Sequence, residues 1–554
     1  MSRKIVVVGG VAGGASVAAR LRRLSEEDEI IMVERGEYIS FANCGLPYYI
    51  GGVITERQKL LVQTVEKMSK RFNLDIRVLS EVVKINKEEK TITIKNVTTN
   101  ETYNEEYDVL ILSPGAKPIV PPIPGIEEAK ALFTLRNVPD TDRIKAYIDE
   151  KKPRHATVIG GGFIGVEMVE NLRERGIDVT LVEMANQVMP PIDYEMAAYV
   201  HELMKNHNVE LVFEDGVDAL EEGGTVVRLK SGSIIKTDMI ILAIGVQPES
   251  SLAKDAELEL GVRGTIKVNE KFQTSDRHIY AIGDAIEVKD FVTETETMIP
   301  LAWPANRQGR MLADIIHGHT DSLYKGTMGT SVAKVFDLTV ASTGVNEKIL
   351  KRLNIPYEVV HVQANSHAGY YPNATPVLIK LIFNEESGKI YGAQALGRDG
   401  VDKRIDVIAT AMKANLTVID LPDLELSYAP PYSSAKDPVN MVGYAASNIV
   451  DGFVETIQWY EIDRIVENGG YLIDVREPNE LKQGMIKGSI NIPLDELRDR
   501  LDEVPVDKDI YITCQLGMRG YVAARMLMEK GYKVKNVDGG FKLYGTVLPD
   551  RIVY

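Results

Sequence analysis

The chain has 554 residues, 44% hydrophobic and 26% charged, a composition that excludes disordered and collagen-like proteins and suits about three or four folded domains. Its 64 basic against 80 acidic residues leave a net charge of −16, which argues against nucleic acid as a partner while leaving room for a local basic patch on a phosphorylated ligand. Only two cysteines are present, Cys44 and Cys514, so no disulfide framework forms and a reducing cytoplasm is the expected setting.

The first apolar run, residues 5–8, stops at Gly9-Gly10, too early for a signal peptide. No apolar stretch approaches the ~18 residues of a membrane span. The run reads as a strand, followed by a glycine-rich turn, a helix rich in Ala, Arg and Leu, and a second strand over 30–33 that ends at Glu34: a βαβ unit. The pattern returns as a strand over 156–159, the turn Gly160-x-Gly162-x-x-Gly165, a helix from about 166 to 175 and a strand over 179–182 ending at Glu183. From about 324 the texture changes to alternating strands, 339–343 and 377–382, with later helical stretches. A connecting segment near 446–455 then leads to a last block with strands over 471–475 and 509–513, expected to fold alone. The expected fold class is α/β: two doubly wound nucleotide-binding domains, an α+β domain and a C-terminal α/β domain. One nucleotide fold is assigned to 1–115 and 246–323, the other to 116–245, the α+β domain to 324–445 and the last block to 456–554.

In the second turn, Gly160, Gly162 and Gly165 let backbone N–H groups approach a pyrophosphate at a helix N-terminus, where the helix dipole favours the anion. Glu183 is placed to bond a ribose 2′-hydroxyl and to repel a 2′-phosphate, favouring NADH over NADPH. The first turn, Gly9-Gly10-Val11-Ala12-Gly13-Gly14, puts Val11 where the second glycine is expected, yet Glu34 closes its strand as a ribose partner should. The segment 279–284 ends in Gly283-Asp284, a second contact for a flavin, with Asp284 reaching its ribityl or phosphate chain. Gly9, Val11, Ala12, Gly14, Glu34, Arg35, Asn43, Gly115, Gly283 and Asp284 form the expected FAD set, and Gly160, Gly162, Gly165, Glu183 and Gly245 the expected NAD set. One dinucleotide per fold is what a flavin-mediated reductase needs. Two glycine turns that merely pack helix to strand would leave Cys44 unexplained.

Cys44 stands in Ser40-Phe41-x-x-Cys44-Gly45-x-Pro47-Tyr48. On this motif, residues 1 to about 445 resemble the flavin- and pyridine-nucleotide-dependent disulfide reductases, in the single-cysteine branch that holds coenzyme A disulfide reductases, NADH oxidases and NADH peroxidases. The paired-cysteine branch spaces its thiols Cys-x4-Cys; here position 49 is Tyr49, so oxidised Cys44 must be a mixed disulfide with a small thiol or a sulfenic acid. Oxidase and peroxidase members carry a histidine in the first glycine turn, where this chain has Ala12. The resemblance therefore implies coenzyme A chemistry, with a peroxide- or oxygen-reducing enzyme as the alternative. It also implies a homodimer whose third domain lends Tyr370 and Tyr428 to the partner's active site, with Tyr371 able to replace Tyr370. Coenzyme A phosphates need cations and polar groups, and the family pattern nominates Arg20, Arg23, Ser40, Asn43, Lys70 or Arg71, Asn306 or Arg307, and Lys436. Taken singly, each exposed arginine is more simply a solvated surface group.

The last block carries Leu472-Ile473-Asp474-Val475-Arg476-Glu477, Gly484-x-Ile486-x-Gly488-Ser489-Ile490-Asn491-Ile492-Pro493 and the loop Cys514-Gln515-Leu516-Gly517-Met518-Arg519. This set resembles a rhodanese domain, in which backbone N–H groups and Arg519 surround the thiol, lower its pKa and stabilise a persulfide anion. A protein phosphatase loop has five residues between Cys and Arg, and this one has four. The fusion implies a persulfide as common substrate: NADH, through FAD, keeps Cys44 reduced for attack on coenzyme A disulfide, coenzyme A persulfide or related polysulfides, and Cys514 handles sulfane sulfur, with a protein-tethered coenzyme A arm as carrier. A regulatory rhodanese on an oxidase, or a non-enzymatic sulfur relay, are the other readings.

Overall fold

The computed structural model describes residues 2–554, which divide into two compact units: residues up to 186 with 208–329, and 187–207 with 330–554. The first unit is built on two five-stranded parallel sheets. One has the order Ile279–Ala281, Val109–Leu112, Lys4–Val8, Glu29–Val33, Asp75–Arg77; the other runs Val209–Val212, Asp178–Val182, His155–Ile159, Met239–Leu242, Leu132–Phe133. The central strands are continuous apolar runs because both faces are covered, the usual burden of a parallel sheet. The chain passes between the folds twice, through the antiparallel pair Ala116–Pro118 and Val246–Pro248.

The sequence placed the second nucleotide helix over 166–175; it runs Phe163–Glu174, because Gly162 is itself the N-cap and the helix starts inside the turn. Gly14 and Gly165 occupy equivalent places in the two folds. A Cβ on either would collide with the carbonyl oxygen of Gly9 or Gly160, so only glycine lets each helix sit this close to its strand.

In the second unit an antiparallel sheet runs Ser331–Val335, Leu338–Gly344, Ile390–Gly397, Pro376–Phe383, Glu358–Asn365, with helices Val401–Lys413 and Pro438–Val450 packed on it. The C-terminal parallel sheet runs Glu455–Ile457, Val534–Val537, Ile510–Thr513, Tyr471–Asp474, Ile490–Asn491. Two expectations differ. The connecting segment near 446–455 is largely the end of helix Pro438–Val450, whose Ala446 is fully buried, so the link is shorter. Residues 187–207, assigned to the 116–245 domain, pack instead with the second unit, where helix Tyr194–Asn206 lies against helix Gly540–Val547.

The reason is a buried charge cluster. Lys380 is fully buried and its ammonium bonds Glu195, Asp193 at 2.9 Å and Glu347 at 2.5 Å. Asp193 also accepts from the Gln394 amide at 2.6 Å and Glu347 from the Tyr357 hydroxyl at 2.6 Å. These three carboxylates would suit a metal ion, but the lysine already supplies the cation. Among the described residues no helix is long and apolar enough to cross a membrane.

Candidate active sites

Both nucleotide turns show the same local construction. Helix Ala12–Leu24 starts after Val11 and helix Phe163–Glu174 after Gly162, neither with a side-chain cap, so their first N–H groups face outward unsatisfied. Glu34 accepts from the N–H of Gly10 (2.8 Å) and Gly36 (2.7 Å); Glu183 accepts from Gly161 (2.7 Å) and Ala185 (2.8 Å). Each carboxylate is thus fixed at the mouth of its turn with lone pairs to spare for a ribose hydroxyl. Gly283, at φ +81°, donates to Gln308 (2.8 Å), and beside it burial pushes the pKa of Asp284 up to about 6, with no hydrogen bond from the described residues to offset it. Two uncapped helix starts, two anchored acids and this unpartnered carboxylate fit a dinucleotide in each fold. Gly115 and Gly245 have positive φ, with little or nothing near where a Cβ would be. Arg35 pairs with Glu81 (3.3 Å) and Glu249 (3.4 Å). The Glu183 position predicts that Glu183→Ala raises the NADPH/NADH ratio of kcat/KM by about tenfold, the effect of losing roughly 1.4 kcal/mol of discrimination; an unchanged ratio contradicts its role.

Cys44 lies in the short turn Asn43–Gly45 ahead of helix Leu46–Gly51, and both it and Asn43 are exposed. Desolvation and then the carboxylates of Glu167 and Asp284 push its thiol pKa up. Glu167 is itself pushed up to about 7, by burial first and then by Glu170, a value suited to proton exchange near neutrality. Ser40, four positions before the thiol, has a φ of +43°, a strained conformation for a residue with a side chain. It lines a cavity of about 290 Å³ with Ser16, Arg23, Gln63, Asn306 and Arg310, over an apolar floor that includes Met68 and Phe72. The helices Ala12–Leu24 and Ala302–Ile316 wall it, joined by the Ser16 hydroxyl donating to Asn306 at 2.6 Å.

Of the nominated coenzyme A residues, Arg23, Ser40 and Asn306 come together in this cavity. Arg20 does not line it: its guanidinium is bound to Asp314 at 2.7 Å. Arg307 lies over the Tyr324 ring at 5.3 Å, and Arg310, one helical turn from Asn306, takes the place expected of it. Lys70 and Arg71 are exposed on helix Val65–Phe72, whose cavity-lining residues are Met68 and Phe72. Arg310 and Gln63 were missed; spacing of four from Asn306 on a helix was the available signal for the first.

In the second unit, Tyr370 and Tyr428 share a hydrogen bond of 2.8 Å at the surface, which pushes the Tyr370 phenol up. Tyr371 instead sets its ring edge-on to His367, so Tyr370 is the paired phenol. Lys436 is exposed. Cys514 ends strand Ile510–Thr513 and is 1% exposed; its sulfur accepts the Gly517 N–H at 3.1 Å, where Gly517 at φ +106° starts helix Met518–Met528. Arg519 differs from expectation. Both its terminal nitrogens are held by Glu480, at 2.6 and 2.7 Å, so its fork is spent on a carboxylate rather than on the thiol. Fully buried Arg476, bonded to Asp474 at 2.7 Å, stacks on Phe541 at 3.8 Å beneath the loop and reaches Gln515 at 3.4 Å.

A solitary thiol set in the chain between two nucleotide cradles defines a pyridine nucleotide-dependent disulfide reductase, to which a second cysteine loop is joined near the C-terminus. The chain belongs to the pyridine nucleotide-disulphide oxidoreductase family, whose model matches residues 3–309; the family's dimerisation domain matches 330–438 and a rhodanese-like domain 459–546. It is similar to coenzyme A disulfide reductase of Staphylococcus epidermidis, 39% identical over 450 residues that cover 80% of this chain and 99% of the relative. A crystal structure of reduced Bacillus anthracis CoADR-RHD is 94% identical over the whole of both chains, with a TM-score of 0.99. A NAD-dependent persulfide reductase from A. fulgidus is 36% identical, covers 98% of this chain and 100% of that one, and superposes with a TM-score of 0.91.

Proposed function

We propose that the chain is a flavin-dependent reductase that uses NADH to reduce coenzyme A disulfide and coenzyme A persulfide at Cys44, and that Cys514 takes up sulfane sulfur. The observation that carries this is the cavity beside Ser40, where two guanidinium groups with no partner among the described residues, Arg23 and Arg310, meet hydroxyls, amides and an apolar floor. That combination suits a phosphorylated nucleotide bearing a thiol arm, anchored a few residues from Cys44.

FAD, held by the turn at Gly9–Gly14, Glu34 and Asp284, supplies when bound the relay that brings the electron pair of a nicotinamide hydride to the Cys44 sulfur. The chain's own part is nucleophilic. The Cys44 thiolate attacks one sulfur of the disulfide, that S–S bond breaks, and one coenzyme A leaves as thiolate while the other remains in a mixed disulfide. In sum, CoA disulfide, NADH and a proton give two CoA thiols and NAD⁺; CoA persulfide gives CoA thiol and hydrogen sulfide. At Cys514 the thiolate attacks the outer sulfur of a persulfide, a small thiolate leaves, and the cysteine carries the sulfur inside the Gly517 turn. The chain acts as a cytoplasmic homodimer, and the exposed Tyr370–Tyr428 pair protonates or hydrogen-bonds the departing thiolate at the partner's Cys44. NADPH serves less well, because Glu183 repels its 2′-phosphate.

The test is Arg23→Ala and Arg310→Ala. Losing a charge-assisted hydrogen bond of ~1.5–3 kcal/mol, each raises KM for CoA disulfide by roughly ten- to a hundredfold with kcat little changed. An unchanged KM in both places the coenzyme elsewhere.

A further inference from the structure

The loop of Cys514 rests on a turn whose first residue is bonded from outside its own domain. Asp538, at the end of strand Val534–Val537, is followed by Gly539 and Gly540, both at positive φ. A Cβ on Gly540 would strike the carbonyl oxygen of Cys514, and the next N–H, Phe541, donates to that oxygen at 2.8 Å; Lys542 N–H donates to Gln515 at 3.1 Å. This turn is therefore the floor of the cysteine loop, and Asp538 leads into it.

Asp538 is 3% exposed, and among the described residues its carboxylate is bound largely from outside the rhodanese-like fold. His361, on strand Glu358–Asn365 of the dimerisation sheet, donates its backbone N–H to one oxygen at 2.9 Å and its ring Nδ1 bonds the other at 2.6 Å; the Gln458 amide adds a bond at 3.2 Å. The opposite ring nitrogen, Nε2, is 3.3 Å from Glu195, which is bound in turn by Lys380. With an acid at each nitrogen the ring is an imidazolium donating twice. Burial alone would lower its pKa, but Asp538 and Glu195 outweigh this and push it up to about 9.

We infer that His361 is a positioning residue for sulfur transfer at Cys514: by clamping Asp538 it fixes the Gly539–Gly540 floor, so the rhodanese chemistry depends on the dimerisation domain. This rests on the reading of Cys514 as the sulfane-sulfur thiol. A small shift of a reacting group costs up to about a hundredfold in rate, so a clamp of this kind acts on kcat.

The test uses the full-length, FAD-loaded enzyme and two assays, sulfur transfer from glutathione persulfide to coenzyme A thiol (giving glutathione and coenzyme A persulfide, and called persulfide turnover below) and CoA disulfide reduction. His361→Leu should lower kcat for the persulfide by at least about tenfold with KM within about threefold and CoA disulfide reduction within about twofold; His361→Gln, which keeps an N–H for Asp538, should recover most of the loss. If His361→Leu yields no folded protein, Asp538→Asn must show the same kcat-only loss. Unchanged persulfide kcat, or equal loss of both activities without recovery in His361→Gln, overturns the inference. Cys514→Ser run alongside separates the two claims: if it leaves persulfide turnover intact, the reading of Cys514 fails, and if it abolishes turnover while His361→Leu does not, only the clamp fails.

Discussion

Cys44→Ser abolishes NADH-dependent reduction of both CoA disulfide and CoA persulfide, lowering kcat/KM by at least about a thousandfold, since a serine hydroxyl at neutral pH is a far weaker nucleophile toward sulfur than a thiolate. No second thiol can rescue it: the only other cysteine is Cys514, 1% exposed and closed into its own loop. Stopped-flow and steady-state NADH oxidation with CoA disulfide measure the loss. Bleaching of the flavin by NADH should persist in the variant, because the cradles at Gly9–Gly14 and Gly160–Gly165 are untouched, so a fall in flavin reduction as well would mean that the substitution had disturbed the fold.

The largest stability effect is expected at Lys380. Lys380→Met fits the space but strands Asp193, Glu195 and Glu347, all at most 6% exposed, with no cation among them. Removing one partner of a buried ion cluster costs ~3–5 kcal/mol, because the remaining charges keep their desolvation penalty. Denaturant unfolding followed by Trp459 fluorescence, in the same unit as the cluster, reports the loss. The triple change Asp193→Asn, Glu195→Gln, Glu347→Gln in the Lys380→Met background should return part of that stability; no loss in Lys380→Met alone would mean that the cluster is not a structural lock.

Much of the architecture was legible because parallel strands buried on both faces are written as unbroken apolar runs, and because glycine turns mark helix starts. The strands near residues 5, 30, 156 and 179 fall where those runs are. The pair of acids, Glu34 and Glu183, could be read from position alone, since each ends a strand beside its turn. What escaped was whatever depends on which helical face meets which neighbour. Arg20 and Arg23 both lie near Ser16 on the same helix, but Arg23 lines the cavity while Arg20 is held by Asp314 on the facing helix. Asn306 implied Arg310 by a spacing of four, not Arg307 by one. Long-range pairing was equally hidden: nothing local in sequence ties Arg519 to Glu480, Lys380 to Glu195, or His361 to Asp538, whose partners lie 39, 185 and 177 positions apart.

The proposed catalysis runs through a mixed disulfide between Cys44 and coenzyme A. Intact-mass and peptide analysis of the oxidised, FAD-loaded enzyme after CoA disulfide treatment tests it most directly. The predicted result is one coenzyme A per chain, attached at Cys44, released by NADH and absent from Cys44→Ser. An unmodified Cys44, a sulfenic acid there with no coenzyme A, or an adduct confined to Cys514 would contradict it.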